Sequence, residues 1–317
     1  YCGYVGEGSD VLTGIAVDGS GNAYVTGQTF SSAPSFPVAI GPDLTFNGGA
    51  EDAFVAKVNA AGTALIYAGY IGGRFWDIGT GIAVDGSGNA YVAGTTASSD
   101  FSATVGPDIT YNGDSADAFV AKVNAEGTTL VYAGFIGGGG NGTNDLGYGI
   151  AADGSGNAYV TGATSSSETS FPDKVGPDLT FNGEFDAFVA KVNAAGTDLV
   201  YAGYIGGSGI EFGQGIAIDS SGTAYVTGYT ESSSVTFPSS VGPDVSSNGW
   251  WDAFVAKVVA DGAGLEYAGY LGGGGSEYGR GIAVDGGGNT YVTGYTTTSA
   301  PSFPIAIGPD LMFNGGT

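Results

Sequence analysis

No histidine occurs in this chain, and only one cysteine, Cys2. A zinc cluster of Cys and His ligands and an internal disulfide are therefore both excluded. Cys2 stands where other parts of the chain carry Ala68, Ala133, Ala202 and Ala268. That equivalence reads it as a small buried residue. Basic residues are scarce: 7 Lys+Arg face 31 Asp+Glu, for a net charge of −24. Such a surface repels nucleic-acid phosphates and anionic membranes. It suits soluble life outside a cell, cation binding or a basic partner. No apolar run reaches the length of a membrane-spanning helix, so membrane insertion is not expected. No signal peptide is visible at Tyr1, and the chain starts in mid-repeat, as a mature product or an excised piece would.

Glycine, by contrast, is abundant, with 62 residues, and 42% of the chain is hydrophobic. The glycines recur at fixed places, because the chain repeats. GIAVDGSGNAYVTG begins at Gly14 and returns in variant form at Gly81, Gly149, Gly215 and Gly281. The spacings are 67, 68, 66 and 66 residues. Five copies packed on their neighbours make one body, expected to be a single domain over 1–317.

Each period holds four strand-like segments. They are Gly14–Asp18, Ala23–Thr26, Asp52–Val58 and Leu65–Ile71 in the first copy. All are short, rich in β-branched and aromatic residues, and bounded by Gly, Asn, Asp or Pro. Tight turns join the first to the second and the third to the fourth. The other two connections are long, one Ser/Thr/Pro-rich and one glycine-rich. Four antiparallel strands repeated five times predict an all-β, five-bladed β-propeller of four-stranded blades.

YAGYIGG, then GIAVDGSGNAYVTG, then a Ser/Thr loop with Phe-Pro, then DAFVAKVN, resembles the SBBP β-propeller repeats of bacterial and archaeal extracellular proteins. It is also similar to NHL repeats, in which a GIAVD-type strand lies nearest the axis. The resemblance implies secretion or surface display and no defined catalytic activity.

The last repeat stops at Phe313-Asn-Gly-Gly-Thr317, before its DAFVAKV strand, so the closing blade is expected to be incomplete. Two registers are open, with either the GIAVD strand or the YAGY strand innermost. Either leaves an unpaired edge, and such edges are templates for another chain. Tyr1, Cys2, Gly3, Tyr4 and Val5, or Leu311, Met312 and Phe313, are the segments expected to reach across in assembly.

Several side-chain sets invite a chemical reading. Asp18, Ser20 and Asn22 place oxygens at alternate positions, as calcium loops do, and recur as Asp85, Ser87, Asn89 and as Asp153, Ser155, Asn157. The same pattern closes an ordinary hairpin turn. Asp43, Asp108, Asp178, Asp244 and Asp310 recur in Gly-Pro-Asp, as turn formers or as a ring of carboxylates. Lys57, Lys122, Lys191 and Lys257 follow Asp52, Asp117, Asp186 and Asp252 at fixed distance, as an ion pair or as stems over apolar surface. Trp76, Trp250 and Trp251 lie in the least repeated segments and could stack on a sugar or a partner. Asn141 heads a glycosylation sequon. Acids that repeat with the blades do not make the asymmetric carboxylate pair of a glycosidase. The expectation is a non-enzymatic extracellular propeller that assembles with itself into a filament or surface layer. The alternative is a binding module for glycans or protein. No organic cofactor is expected, and calcium is the one inorganic candidate.

Overall fold

The computed structural model describes residues 9–32, 34–113, 115–140, 142–299 and 303. The described residues form strands and turns with no helix. The first repeat gives β1 (Val11–Val17), β2 (Ala23–Thr29), β3 (Asp52–Val58) and β4 (Leu65–Ile71). The second gives β5 (Asp77–Val84), β6 (Ala90–Thr96), β7 (Asp117–Val123) and β8 (Leu130–Ile136). The third gives β9 (Asp145–Ala152), β10 (Ala158–Thr164), β11 (Asp186–Val192) and β12 (Leu199–Ile205). The fourth gives β13 (Glu211–Ile218), β14 (Ala224–Thr230), β15 (Asp252–Val258) and β16 (Leu265–Leu271). The fifth gives β17 (Glu277–Val284) and β18 (Thr290–Thr296). Each of the first four repeats is one sheet in sequence order, and β17–β18 is a two-stranded sheet.

The chain separates into two compact units, and the boundary runs through the third repeat. One comprises Tyr1–Val160, Thr169–Pro172 and Ala190–Val200, the other Thr161–Glu168, Asp173–Val189 and Tyr201–Thr317. Within the first unit, β1 packs on β5 and β5 on β9. Within the second, β13 packs on β17. The GIAVD strand is thus the one that successive sheets share, and the register with the YAGY strand in that place is not adopted.

The YAGY strand is instead the far edge of its sheet, and the long loop closes it. The backbone N–H of Ala68 donates to Ile40 O at 2.7 Å and that of Tyr70 to Asp43 O at 2.9 Å. The same two bonds recur at Ala133 and Phe135, at Ala202 and Tyr204, and at Ala268 and Tyr270. A strand edge is thereby satisfied without a neighbouring chain. Glycine permits the approach: a Cβ on Gly69 would stand 2.7 Å from both Asp43 O and Gly41 Cα.

The first strands run longer than the motif suggests. Residues 77–80, read from the sequence as part of a glycine-rich link, are strand. A β-bulge between Gly79 and Gly81 breaks the alternation there and hides the strand from a period-2 reading.

The core lies between successive sheets. In the first unit Tyr24, Ala53, Val55, Tyr67 and Ile71 of one sheet meet Ile82, Val92, Phe119, Ala121 and Val123 of the next. Alternation along DAFVAKV supplies both faces of each sheet at once.

Candidate functional site

The tight turns with calcium-loop spacing are closed by hydrogen bonds to their own aspartates. Asp18 Oδ1 accepts the N–H groups of Ser20 and Asn22, each at 2.9 Å. Asp18 Oδ2 accepts Asn22 Nδ2 at 2.8 Å and the Tyr24 hydroxyl at 3.0 Å. The Asn22 side-chain oxygen Oδ1 accepts from Ala60 N at 3.0 Å. Asp85 and Asp153 repeat this set with Ser87, Asn89 and Tyr91, and with Ser155, Asn157 and Tyr159. The hydrogen bonds from Asn22, foremost, hold the Asp18 carboxyl down at about 2. A cation here would have to displace four donors from one carboxylate. Gly21 completes the turn at φ +83°.

Lys57 does not pair with Asp52, which starts the same strand at its other end. Its Nζ lies 4.7 Å from the ring centroid of Tyr24, its cross-strand neighbour, and 4.0 Å from Asp18 Oδ2. Lys122, Lys191 and Lys257 lie likewise over Tyr91, Tyr159 and Tyr225. Both alternatives of the sequence reading are thus represented: the lysines lie over tyrosine rings, and Lys257 Nζ also pairs with Glu266 at 2.9 Å. The acidic partners of Lys57 and Lys257, Asp18 and Glu266, are not the aspartates that start their own strands. Four of the Gly-Pro-Asp carboxylates close local turns: Asp43 accepts from Thr45 N at 2.8 Å and from Asn47 Nδ2 at 3.0 Å, and Asp108, Asp178 and Asp244 do the same, while Asp310 lies outside the described residues.

Two features of the second unit break the repeat. The first is a continuous aromatic track. Phe185 stacks on Phe212 at 5.6 Å between ring centroids, and Phe212 on Tyr229 at 5.2 Å. Tyr229 meets Trp251 at 5.1 Å and Tyr278 at 4.9 Å, both edge-on. Tyr278 stacks on Tyr295 at 4.7 Å. Two of these contacts are cross-strand pairs, Phe212 with Tyr229 and Tyr278 with Tyr295. Arg280 lies 5.7 Å from the Tyr229 centroid and 5.5 Å from that of Tyr295, and its Nη1 donates to Gln214 at 2.8 Å. In the first three repeats the corresponding strand positions are Val11 and Gln28, Ile78 and Thr95, and Leu146 and Ala163. Trp251 belongs to the track. Trp250 beside it is 83% exposed, and its N–H donates to Gly275 O. Trp76 lies in the first unit, where its carbonyl accepts from Ala97 N. The sequence reading found the tryptophans by their failure to repeat. It missed Phe212, Tyr229, Tyr278, Tyr295 and Arg280, whose signal is the same failure one position at a time.

The second feature is the edge of β18. Tyr24, Tyr91, Tyr159 and Tyr225 are buried, whereas their counterpart Tyr291 of β18 is 60% exposed, and Tyr295 of the same strand is 51% exposed. Tyr267 and Leu271 are half-buried, although their counterparts Tyr67, Tyr132, Ile71 and Ile136 are buried. Val255, Tyr267 and Leu271 line a cavity of about 500 Å³ together with Thr290 and Val292. A second cavity of about 400 Å³ runs past Ala253, Leu271 and Val292 to Tyr295 and Phe303. In the first unit, Phe119, Ala121 and Val123 cover the corresponding surface of Val55, Tyr67 and Ile71. Among the described residues no third strand lies on β18. The assembly segments Tyr1–Val5 and Leu311–Phe313, and the sequon at Asn141, lie outside the described residues.

A profile described as the SBBP β-propeller repeat matches residues 4–31, 66–102, 134–168, 200–234 and 266–299, more than half of the chain. The chain belongs to the SBBP family of β-propeller repeats. The last four matches of this SBBP chain each run from the YAGY strand of one repeat through the GIAVD strand of the next. No curated protein matches it. It is similar to solved structures at low identity. One is a luciferin-regenerating enzyme, 12% identical, covering 69% of this chain at a TM-score of 0.33. This chain spans about half of that one, 53%. Another is a protein of unknown function from Dyadobacter fermentans, 9% identical, covering 89% of this chain and 74% of its own at a TM-score of 0.46. A third is the Dos1 propeller, 9% identical, covering 91% of this chain and 68% of its own at a TM-score of 0.37.

Proposed function

We propose that this SBBP chain is an extracellular structural or adhesive propeller that self-associates by strand complementation. A strand of the DAFVAKV type, from another copy, pairs along β18 and fills the adjoining apolar cavities. The observation that carries this reading is the half-buried Tyr267–Leu271 surface beside the edge of β18, on which no third strand lies among the described residues. The chemistry of the occupant follows from the repeat. Gly27 pairs with Phe54, Gly94 with Phe119 and Gly228 with Phe254. A Cβ on Gly94 would meet the Phe119 ring at 2.5 Å, so the glycine leaves room for a phenylalanine. Gly294 is the same position of β18. The incoming strand therefore needs an aromatic residue there. A heterologous contact of this kind propagates as a filament where the rotation between copies does not close into a ring.

The test is the peptide DAFVAKVNAAGTALIY, the sequence of Asp52–Tyr67. It is expected to raise the melting temperature and to block polymerisation. The same peptide with its Phe replaced by Ala is expected to do neither. A protein that stays monomeric at high concentration and ignores both peptides would refute the reading.

The aromatic track favours a second reading, a carbohydrate-binding surface. Exposed aromatic faces beside a guanidinium suit the apolar face and hydroxyls of a sugar ring. Glycan-array binding lost in Tyr295→Ala, with the oligomeric state unchanged, would support this reading over assembly.

A further inference from the structure

Each repeat junction buries two carboxylates against one glycine. Asp52 of β3 and Asp77 of β5 are both fully buried. A Cβ on Gly72 would stand 2.7 Å from Asp77 Oδ2 and 3.1 Å from Asp52 Oδ1. A Cβ on Gly137 would likewise meet Asp117 Oδ1 at 2.8 Å and Asp145 Oδ2 at 2.9 Å. One on Gly206 would meet the carboxylates of Asp186 and Glu211, and one on Gly272 would meet those of Asp252 and Glu277, at under 3 Å. The first acid of each pair is held by one oxygen only. Oδ2 of Asp52, Asp117, Asp186 and Asp252 accepts from the N–H of Asn47, Asn112, Asn182 and Asn248. Oδ1 of all four is buried and accepts from no donor.

More acceptor oxygen converges on these atoms. The point where a Cβ on Gly183 would stand is 3.0 Å from both Asp186 Oδ1 and Gly207 O, and 2.1 Å from Gly209 O. Asp117 Oδ1 and Ala116 O converge in the same way on Gly113. Burying like-charged oxygens together is costly unless positive charge joins them. Six of the protein's seven basic side chains are engaged elsewhere. Lys57, Lys122, Lys191 and Lys257 lie over tyrosines, Arg74 pairs with Asp100, and Arg280 bonds Gln214.

We propose that each of these four acid pairs is a divalent-cation site, with Oδ1 of Asp52, Asp117, Asp186 or Asp252 as its anchoring ligand. The second carboxylate and backbone carbonyls supply further oxygen. An all-oxygen set with carboxylates and carbonyls selects a hard cation such as Ca²⁺ or Mg²⁺. No cluster of three acidic, histidine or cysteine side chains occurs among the described residues, so water completes the shell. The cation would tie the third strand of one repeat to the first strand of the next. The anchoring carboxylates differ from those of the Asp18-type turns: each keeps one buried oxygen that accepts no hydrogen bond, whereas the Asp18 carboxylate accepts four.

The test is equilibrium dialysis of the chelator-treated full chain against radioactive calcium, at ionic strength fixed with sodium chloride. About four ions per chain are expected. Asp186→Asn and Asp117→Asn should each remove about one ion, and Asp18→Asn none. Terbium luminescence, sensitised by the nearby tyrosines, should fall in the same two variants. Absence of bound calcium at millimolar concentration would overturn the proposal and leave the pairs as proton-sharing acids. Loss of ions in Asp18→Asn alone would move the sites to the turns and overturn it equally.

Discussion

Phe119 occupies the space that a side chain on Gly94 would need, and a Cβ there would stand 2.5 Å from its ring. The same Cβ would stand 2.0 Å from Ile78 O, where β5 bulges toward β6. Two unrelated constraints, a ring and a bulged carbonyl, thus fix one glycine. Gly94→Ala is expected to destabilise by about 2–3 kcal/mol, the upper range for overpacking a filled core. Urea unfolding checks this. Gly86→Ala serves as control, since a Cβ there meets nothing within 4 Å.

The buried acids set the pH dependence of the metal-free protein. Burial, before any other cause, pushes Asp52, Asp117 and Asp186 up to about 7 and Asp77 up to about 6, from 3.8. Between these limits the folded state holds protons that the unfolded chain releases. Stability should therefore rise as pH falls from above 7 toward about 4. Asp18 has the opposite sign. Its carboxyl is held down at about 2, so its contribution is present above 3.8 and lost as pH falls toward 2. Calorimetry in chelator should place the maximum melting temperature near pH ~4–5. Relief of the −24 net charge acts in the same direction on the upper limb, and Asp186→Asn separates the two by flattening only the part due to its pair.

The turns make a third prediction. Asp85 accepts Ser87 N, Asn89 N, Asn89 Nδ2 and the Tyr91 hydroxyl. Asp85→Ala strands those donors and should cost about 1–3 kcal/mol in urea unfolding, while Asp85→Asn, which keeps an acceptor, should cost less. A cost below that of Ser87→Ala would show that the turn closes without its aspartate.

The strand order and the tight turns were legible in the sequence, because GIAVD, AYVTG and DAFVAKV carry their periodicity and glycines locally. Which strand the sheets share was not. It depends on the carbonyls of Ile40 and Asp43 reaching the far edge at Ala68 and Tyr70, which no spacing within either segment reveals. The link at residues 77–80 misled for a related reason: a bulge shifts side chains to the other face and erases the alternation. Asp52 was read with Lys57, its strand neighbour. Its true companion is Asp77, a repeat away, and only packing brings two like charges together.

The aromatic track makes the last prediction. Tyr278 and Tyr295 stack at 4.7 Å, and Arg280 lies against Tyr229 and Tyr295 on the same surface. Rings engaged with one another and partly exposed report directly on anything that covers them. If a sugar polymer binds there, it should change the fluorescence of Trp251, which meets Tyr229 at 5.1 Å. Tyr295→Ala removes the terminal platform and one face of the guanidinium contact, and should weaken binding about 10-fold or more, as expected for losing a stacking anchor worth about 1.5 kcal/mol. Arg280→Lys keeps the charge but loses the planar stack and the bond to Gln214, so it should weaken binding nearly as far. Titration of the polymer with fluorescence detection, on both variants, decides the matter. Equal affinity across wild type, Tyr295→Ala and Arg280→Lys would remove the track from the binding surface. Fluorescence that changes only with protein concentration would assign it to contact between copies.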